Sequence, residues 1–190
     1  MRRAALLAGL AVLALVWAAP LDAWLGAFPV HMVRHMALVA VAAPLLALGL
    51  GPALAPLAIS PVLAAVLEFA VVWGWHLPAA HGAAYLSGLG FAAEQAMFLG
   101  AGLLVWVGAL STPQPLTGAL GLLLTSMHMT LLGALLILAS RDLYAAICGY
   151  APDLAGQRMG GLLMLGIGTP AYLLGGLWLV RRAIGTEAPA

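Results

Sequence analysis

Charged residues and cysteine are both scarce in this sequence. Only 7% of the residues are charged, against about 25% in soluble domains, and every cation is an arginine. So little charge excludes an ordinary soluble globular domain, and the absence of a basic cluster excludes nucleic acid as a partner. The single cysteine, Cys148, excludes an internal disulfide and any Cys-x-x-Cys metal site.

Long apolar runs make up most of the chain, and the mean hydropathy is +1.11. Nearly every stretch is long and apolar enough to cross a bilayer. Glycine, proline and alanine recur throughout, which is not typical of alternating barrel strands. We therefore predict an all-α fold, a polytopic integral membrane helix bundle with about six transmembrane helices in a single membrane domain. The expected spans are 4–19, 30–49, 62–77, 90–110, 116–139 and 159–180, and residues 183–190 are expected to form a disordered tail.

Two arginine pairs flank the apolar region, Arg2-Arg3 before it and Arg181-Arg182 after it. Because positive residues favour the cytoplasmic side, both termini are expected to be cytoplasmic in a bacterial-type inner (plasma) membrane. The first apolar run also resembles a signal peptide, and the sequence leaves its cleavage open. This orientation places the start of the second span and the end of the third at the outer face.

The start of the second span carries a repeated His-Met pair. His31 and His35 lie four residues apart, so on a helix they share one face about 6 Å apart along the axis. Met32 and Met36 repeat this spacing on the adjacent stripe. Imidazole and thioether groups together suit Cu(I), whereas zinc is less favoured without nearby thiolate or carboxylate ligands. The competing interpretation is a pair of interfacial histidines bonded to water or lipid head groups.

Other histidines offer further ligands. His76 ends the third span, His81 lies in the stretch 79–86 that is expected to be an outer loop or interfacial turn, and His128 falls near the middle of the fifth span. An ionisable group in mid-membrane is a candidate for function by default, and the alternative is an interhelical hydrogen bond worth about 1 kcal/mol. The sequence leaves open which of these three histidines completes a site.

Three polar residues are candidates for orienting the metal ligands. Glu68 and Glu94 lie within apolar spans, where a carboxyl group must be neutral or hydrogen-bonded. Glu68 shares a helix face with His76 and could reach it through bound water. Gln157 precedes the outer end of the sixth span. Packing between helices explains these residues equally well.

Four motifs together resemble a known family, the polytopic CtaG-like assembly proteins of cytochrome c oxidase. The similarity covers about residues 30–165. It is carried by His31-Met32-Val33-Arg34-His35-Met36 leading to Pro44-Leu45-Leu46-Ala47-Leu48-Gly49, by Trp75-His76-Leu77-Pro78, by Glu94-Gln95 before Phe98 and Trp106, and by Gln157 before Gly160-Gly161 and Met164. Two positions depart from the family pattern: Gln95 stands where a histidine is usual, and Gly156 where an aspartate is usual.

This resemblance implies a non-enzymatic role in delivering copper to a haem-copper oxidase, with oxidase subunits and membrane lipids as partners. Cu(I) would be held by His31 and His35 with help from His76, His128, Met32 or Met36. Because imidazole must be deprotonated to bind a metal, loading is expected to weaken at acidic pH. The alternatives are a haem-binding or quinone-reactive electron carrier and a structural oxidase partner without metal. The sequence leaves open which oxidase is served and whether the protein forms a homodimer.

Overall fold

Helices account for most of the chain. A computed structural model describes residues 1–187, and the side chains of residues 1–185. Within that part of the chain there are ten α-helices and no strand. The α-helices are α1 (Arg2–Ala18), α2 (Leu21–Trp24), α3 (Ala27–Met36), α4 (Ala43–Leu50), α5 (Pro61–His76), α6 (Pro78–Leu86), α7 (Gly88–Ser111), α8 (Pro115–Leu138), α9 (Ala145–Cys148) and α10 (Leu154–Glu187).

The prediction of an all-α membrane bundle is confirmed. In the described residues, four helical segments are long and apolar enough to cross a membrane, and the bent pair of α5 and α6 adds a fifth. Helix α1, with 17 residues, is a sixth apolar helical segment. The expectation of about six spans is therefore compatible with the fold. No proline interrupts the chain between Val180 and Glu187, and α10 continues into the segment predicted as a disordered tail. Residues 188–190 of that tail lie outside the described residues.

The second span is not a uniform α-helix. Between α3 and α4, residues Ala37–Ala42 form a π-helical segment, and Gly51–Leu57 extend α4 as a 3₁₀-helix. Pro44 has no N–H, so the carbonyl of Ala40 cannot receive an α-helical bond from it. The wider turn redirects a backbone carbonyl: Trp106 Nε1 of α7 donates to Val39 O at 2.9 Å. This π-helical segment follows directly after the His-Met pairs.

A sharp break between α5 and α6 shapes the end of the third span. The two helices meet at 72°, and Leu77 between them has extended backbone angles of φ −63° and ψ 133°. Proline disfavours the helical conformation in the residue before it and fits the first turn of a new helix, so Pro78 ends one helix and starts the next. The prediction of a loop over residues 79–86 is therefore wrong, because helix α6 occupies them.

Close packing of α10 sets the positions of its neighbours. A Cβ placed on Gly161 would lie 2.7 Å from the carbonyl oxygen of Gly133 in α8, so these two backbones approach as only glycine permits. On the preceding residue, a Cβ at Gly160 would lie 2.6 Å from the Phe28 ring of α3. Helix α10 therefore fixes α8 on one side and the histidine-bearing helix α3 on the other.

Candidate metal centre

Four of the five histidines in the sequence converge at one end of the bundle, which we call the histidine end. Helix α3 supplies His31 and His35 from one face, at the four-residue spacing. The break at Pro78 brings in His76 from the last turn of α5 and His81 from α6. On one continuous helix, residues five apart would be about 140° apart around the axis, so the break is what lets both face His31.

The first group of ligands is His31, His35 and His76, here called the buried triad. One ring nitrogen from each lies within 4.8 Å of the others. The ring centroids are 6.3 Å apart for His31 and His35, 5.7 Å for His31 and His76, and 5.2 Å for His35 and His76. Helices α3 and α5 thus present three imidazoles to a common point.

The proton on His76 can be assigned from its hydrogen bond. Its Nδ1 lies 2.7 Å from the carbonyl oxygen of Val72, which can only accept, so Nδ1 carries the hydrogen. Its Nε2 then holds the free lone pair, and this atom is buried without a hydrogen-bond partner. A histidine fixed in this way by a carbonyl is typical of metal ligands, because the bond sets both the tautomer and the ring orientation.

His35 is the most enclosed member of the buried triad. It has no solvent-exposed surface, and its ring stacks on Phe98 of α7 with a centroid distance of 4.1 Å. Both of its ring nitrogens are buried without a hydrogen-bond partner. Unsatisfied buried donors and acceptors are rare in proteins because each costs about 1–3 kcal/mol. A bound metal ion would satisfy one of these nitrogens.

A second group, here called the rim triad, consists of His31, His81 and Glu94. Its ligand atoms also lie within 4.8 Å of one another. His31 Nδ1 is 3.5 Å from Glu94 Oε2, which also accepts a hydrogen bond from Gln95 Nε2 at 3.0 Å. Glu94 was predicted as an orienting group within an apolar span, and it lies in the second turn of α7, at the level of the histidines.

A cavity of about 120 Å³ adjoins the rim triad and includes all three of its residues in its lining. The same lining contains Asp22 and Tyr85, which are exposed. We call this cavity the vestibule. It joins the rim triad to the protein surface, whereas His35 and His76 are not part of its lining.

The loop between α8 and α10 covers the site through Tyr144. The Tyr144 hydroxyl donates to the backbone carbonyl of His76 at 3.0 Å, and its ring stacks on Phe28 and lies 4.5 Å from the His81 ring. Desolvation by burial, and more weakly the negative charge of Asp142, raise the pKa of this tyrosine. Tyr144 therefore stays neutral and keeps donating at physiological pH.

Asp142 organises this covering loop. Its carboxylate accepts hydrogen bonds from the backbone N–H groups of Tyr144, Ala145 and Asp153 at 2.8–3.0 Å. Partial burial raises the pKa of Asp142, but the three bonds to its charged form outweigh burial and hold the pKa below its usual range. The carboxylate thus fixes the loop whenever it is ionised.

The Asp142 bonds make the loop sensitive to acid. Because the folded pKa is depressed, the stabilisation is complete above the unfolded value of about 4 and is lost as the pH falls through the folded value. We expect the Tyr144 and Ala145 amides to exchange hydrogen faster at low pH, after correction for intrinsic rates. In an Asp142→Asn variant this additional pH dependence should vanish; an unchanged profile in the variant would contradict the assignment.

The predicted methionine ligands pack against α10. Met32 and Met36 are both fully buried. A Cβ on Gly160 would lie 3.0 Å from Met32 Cγ, and one on Gly168 would lie 2.8 Å from Met36 Cε. The methionines occupy the stripe beside the histidines and fill the contact between α3 and α10.

His128 belongs to a different polar group. Its Nε2 is 3.7 Å from Glu68 Oε2, and the other oxygen of Glu68 accepts a hydrogen bond from the Tyr172 hydroxyl at 3.3 Å. Glu68 was expected to support His76, but it contacts His128 and Tyr172 instead. Neither His128 nor Glu68 belongs to the buried triad or to the rim triad.

Gln157 fastens the covering loop rather than a metal ligand. Its Oε1 accepts from the backbone N–H of Leu143 at 2.8 Å, and its Nε2 donates to the carbonyls of Leu136 and Arg141 at 3.1 and 3.4 Å. These bonds tie the end of α8 to the start of α10. Gln157 therefore acts on the site indirectly, through the loop that carries Tyr144.

Comparison with known proteins adds one finding. The chain matches the family model for the cytochrome c oxidase caa3 assembly factor (Caa3_CtaG) over residues 1–185. No curated protein and no solved structure matches it. The family match covers nearly the whole bundle, including both triads and the covering loop, and it confirms the resemblance drawn from the sequence motifs. The chain therefore belongs to the family of cytochrome c oxidase caa3 assembly factors.

Proposed function

We propose that this assembly factor binds one Cu(I) ion at the buried triad and delivers it to cytochrome c oxidase. The observation that carries the proposal is the convergence of three imidazoles whose available nitrogens have no other partner. His31 Nε2, both nitrogens of His35 and Nε2 of His76 are all buried without a hydrogen bond. Such a cluster is costly as mere packing, and one bound ion would offset that cost.

The chemistry of the buried triad favours Cu(I). Imidazole suits copper, zinc, iron and nickel alike, so the nitrogen ligands alone do not select the metal. The buried triad contains no carboxylate or thiolate. Since burying net charge in an apolar surrounding is costly, a monovalent ion is held there at lower cost than a divalent one. Membership of an oxidase assembly family supports copper as the cargo.

Delivery requires that the ion be released rather than retained. Both triads lie at the same end of the bundle, and the vestibule leads from the rim triad to the surface. With the orientation expected from the arginine pairs, this end faces the outer side of the inner membrane. The protein then acts by ligand exchange with the oxidase, and no covalent bond is made or broken in a substrate.

The test is metal content and Cu(I) affinity of the detergent-purified protein under reducing conditions, with a visible spectrum of the same sample. We expect about one equivalent of Cu(I), lost in a His31→Ala, His35→Ala double variant. His128→Ala is the matched control, because His128 lies outside both triads, and it should retain the ion. A Soret band without copper would favour the haem carrier. If the folded protein shows neither copper nor a Soret band, a structural partner of the oxidase would be the remaining interpretation.

A further inference from the structure

We propose that the rim triad is a second position for the same ion, through which it enters and leaves the buried triad. This inference rests on the proposed function. It assigns His81 and Glu94, on α6 and α7, a direct part in copper transfer. The two triads differ in their access to the surface: His81 and Glu94 line the vestibule together with the shared His31, whereas His35 and His76 do not.

The two positions share His31, and this limits how many ions they hold. A neutral imidazole has one lone pair, so His31 binds an ion in one position or in the other. The protein should therefore hold one ion that moves, rather than two ions together. In the move, bonds from copper to nitrogens of His35 and His76 are replaced by bonds to His81 and to a carboxylate oxygen of Glu94. Copper stays Cu(I) throughout, so no electron transfer is needed, and a proton on Glu94 leaves through the vestibule to solvent when copper binds.

The ligand chemistry of the rim triad suits passage rather than storage. Carboxylate oxygen is a hard ligand and binds Cu(I) less well than imidazole nitrogen does. In its ionised form this carboxylate nevertheless attracts a cation arriving through the vestibule. Glu94 is held for this role, because Gln95 donates to the same oxygen that faces His31. An ion at the rim is thus attracted, weakly bound and one ligand exchange away from the buried triad.

Release kinetics test the proposal. The purified protein is loaded with one equivalent of Cu(I) and mixed with a water-soluble colorimetric Cu(I) chelator, and the release rate is measured at saturating chelator. We expect Glu94→Gln and His81→Ala each to slow Cu(I) release at least about tenfold. Removing a group that supports a metal site typically changes metal affinity or activity by about 10–100-fold, and we take the lower value. Uptake should slow by the same factor, because the affinity at the buried triad is unchanged.

The matched control is Glu68→Gln, which also neutralises a buried carboxyl group but lies outside both triads; it should release copper at the wild-type rate. Unfolding midpoints of all variants establish that they are folded. Wild-type release rates in Glu94→Gln and His81→Ala would overturn the proposal. A loss of Cu(I) affinity in these two variants would also overturn it, because such a loss would mean that the residues of both triads form a single site. Absence of Cu(I) uptake by the wild-type protein would instead overturn the proposed function itself.

Discussion

Replacement of His35 by leucine is expected to abolish tight Cu(I) binding while leaving the metal-free protein as stable as the wild type or more stable. The imidazole is a central ligand of the buried triad, so its loss should weaken Cu(I) binding by at least about 100-fold. This is the upper end of the effect of mutating residues that only support the ligands of a metal site. In the metal-free protein, however, both ring nitrogens are buried without partners. Exchanging an unsatisfied polar group for an apolar one of similar size is often neutral or stabilising.

The measurement is the thermal unfolding midpoint of each protein with and without Cu(I). Wild-type protein should gain about 4 kcal/mol of stability at a free ion concentration 1,000 times Kd, and His35→Leu should gain none. A histidine that serves only to pack against Phe98 would give the opposite pattern, with a lower midpoint in the variant and no response to copper in either protein. The two interpretations thus differ in the sign of the stability change.

His128→Leu provides a contrasting variant. His128 lies 3.7 Å from the buried carboxyl group of Glu68, and the change leaves that carboxyl group with Tyr172 as its remaining polar neighbour. We expect this variant to stay folded, because the 3.7 Å contact is longer than a hydrogen bond and both His128 ring nitrogens are already without a hydrogen-bond partner. Its Cu(I) affinity should stay at the wild-type value, and a loss of binding would place His128 in the copper site after all.

The sequence predicted the bundle well because hydropathy alone identifies membrane helices. It also identified His31 and His35 as neighbours, since their four-residue spacing defines one helix face. His81 was harder to assign, because its position depends on the 72° break at Pro78. The sequence carries an indication of this break at Leu77-Pro78, because proline disfavours the helical conformation in the residue before it. Read that way, the stretch 79–86 could have been predicted as a second short helix.

The roles of the polar residues depended on rotations between helices that no sequence pattern specifies. Glu68 shares a face with His76 on α5, yet its carboxyl group meets His128 and Tyr172 from α8 and α10. Glu94 in turn joins the histidines because it lies one turn before Phe98 on α7, whose ring stacks on His35. Periodicity places residues on the face of one helix, but contacts between helices follow from small residues, bends and loop lengths acting together.

Gly161 lies at a close contact between α8 and α10, and its replacement by valine is expected to cost about 1–3 kcal/mol of stability, the usual range for overpacking. A Cβ there would lie 2.7 Å from the carbonyl oxygen of Gly133 and 2.8 Å from Ile137 Cγ1. Backbone cannot rotate away as the end of a long side chain can, so α8 and α10 must separate. The measurement is the unfolding midpoint in detergent.

Gly166→Val is the matched control for this substitution. It lies on the same helix, five residues along, and a Cβ there meets nothing within 4 Å. Both variants gain the same helix propensity, so only the contact with α8 distinguishes them, and Gly166→Val should stay within about 0.5 kcal/mol of the wild type. Equal midpoints for the two variants would mean that α8 and α10 do not approach this closely.

The effect of Gly161→Val should also reach the copper site, because the adjacent Gly160 packs against Phe28 of α3. A shift of α10 that moves α3 would therefore weaken Cu(I) binding, although neither glycine contacts a ligand.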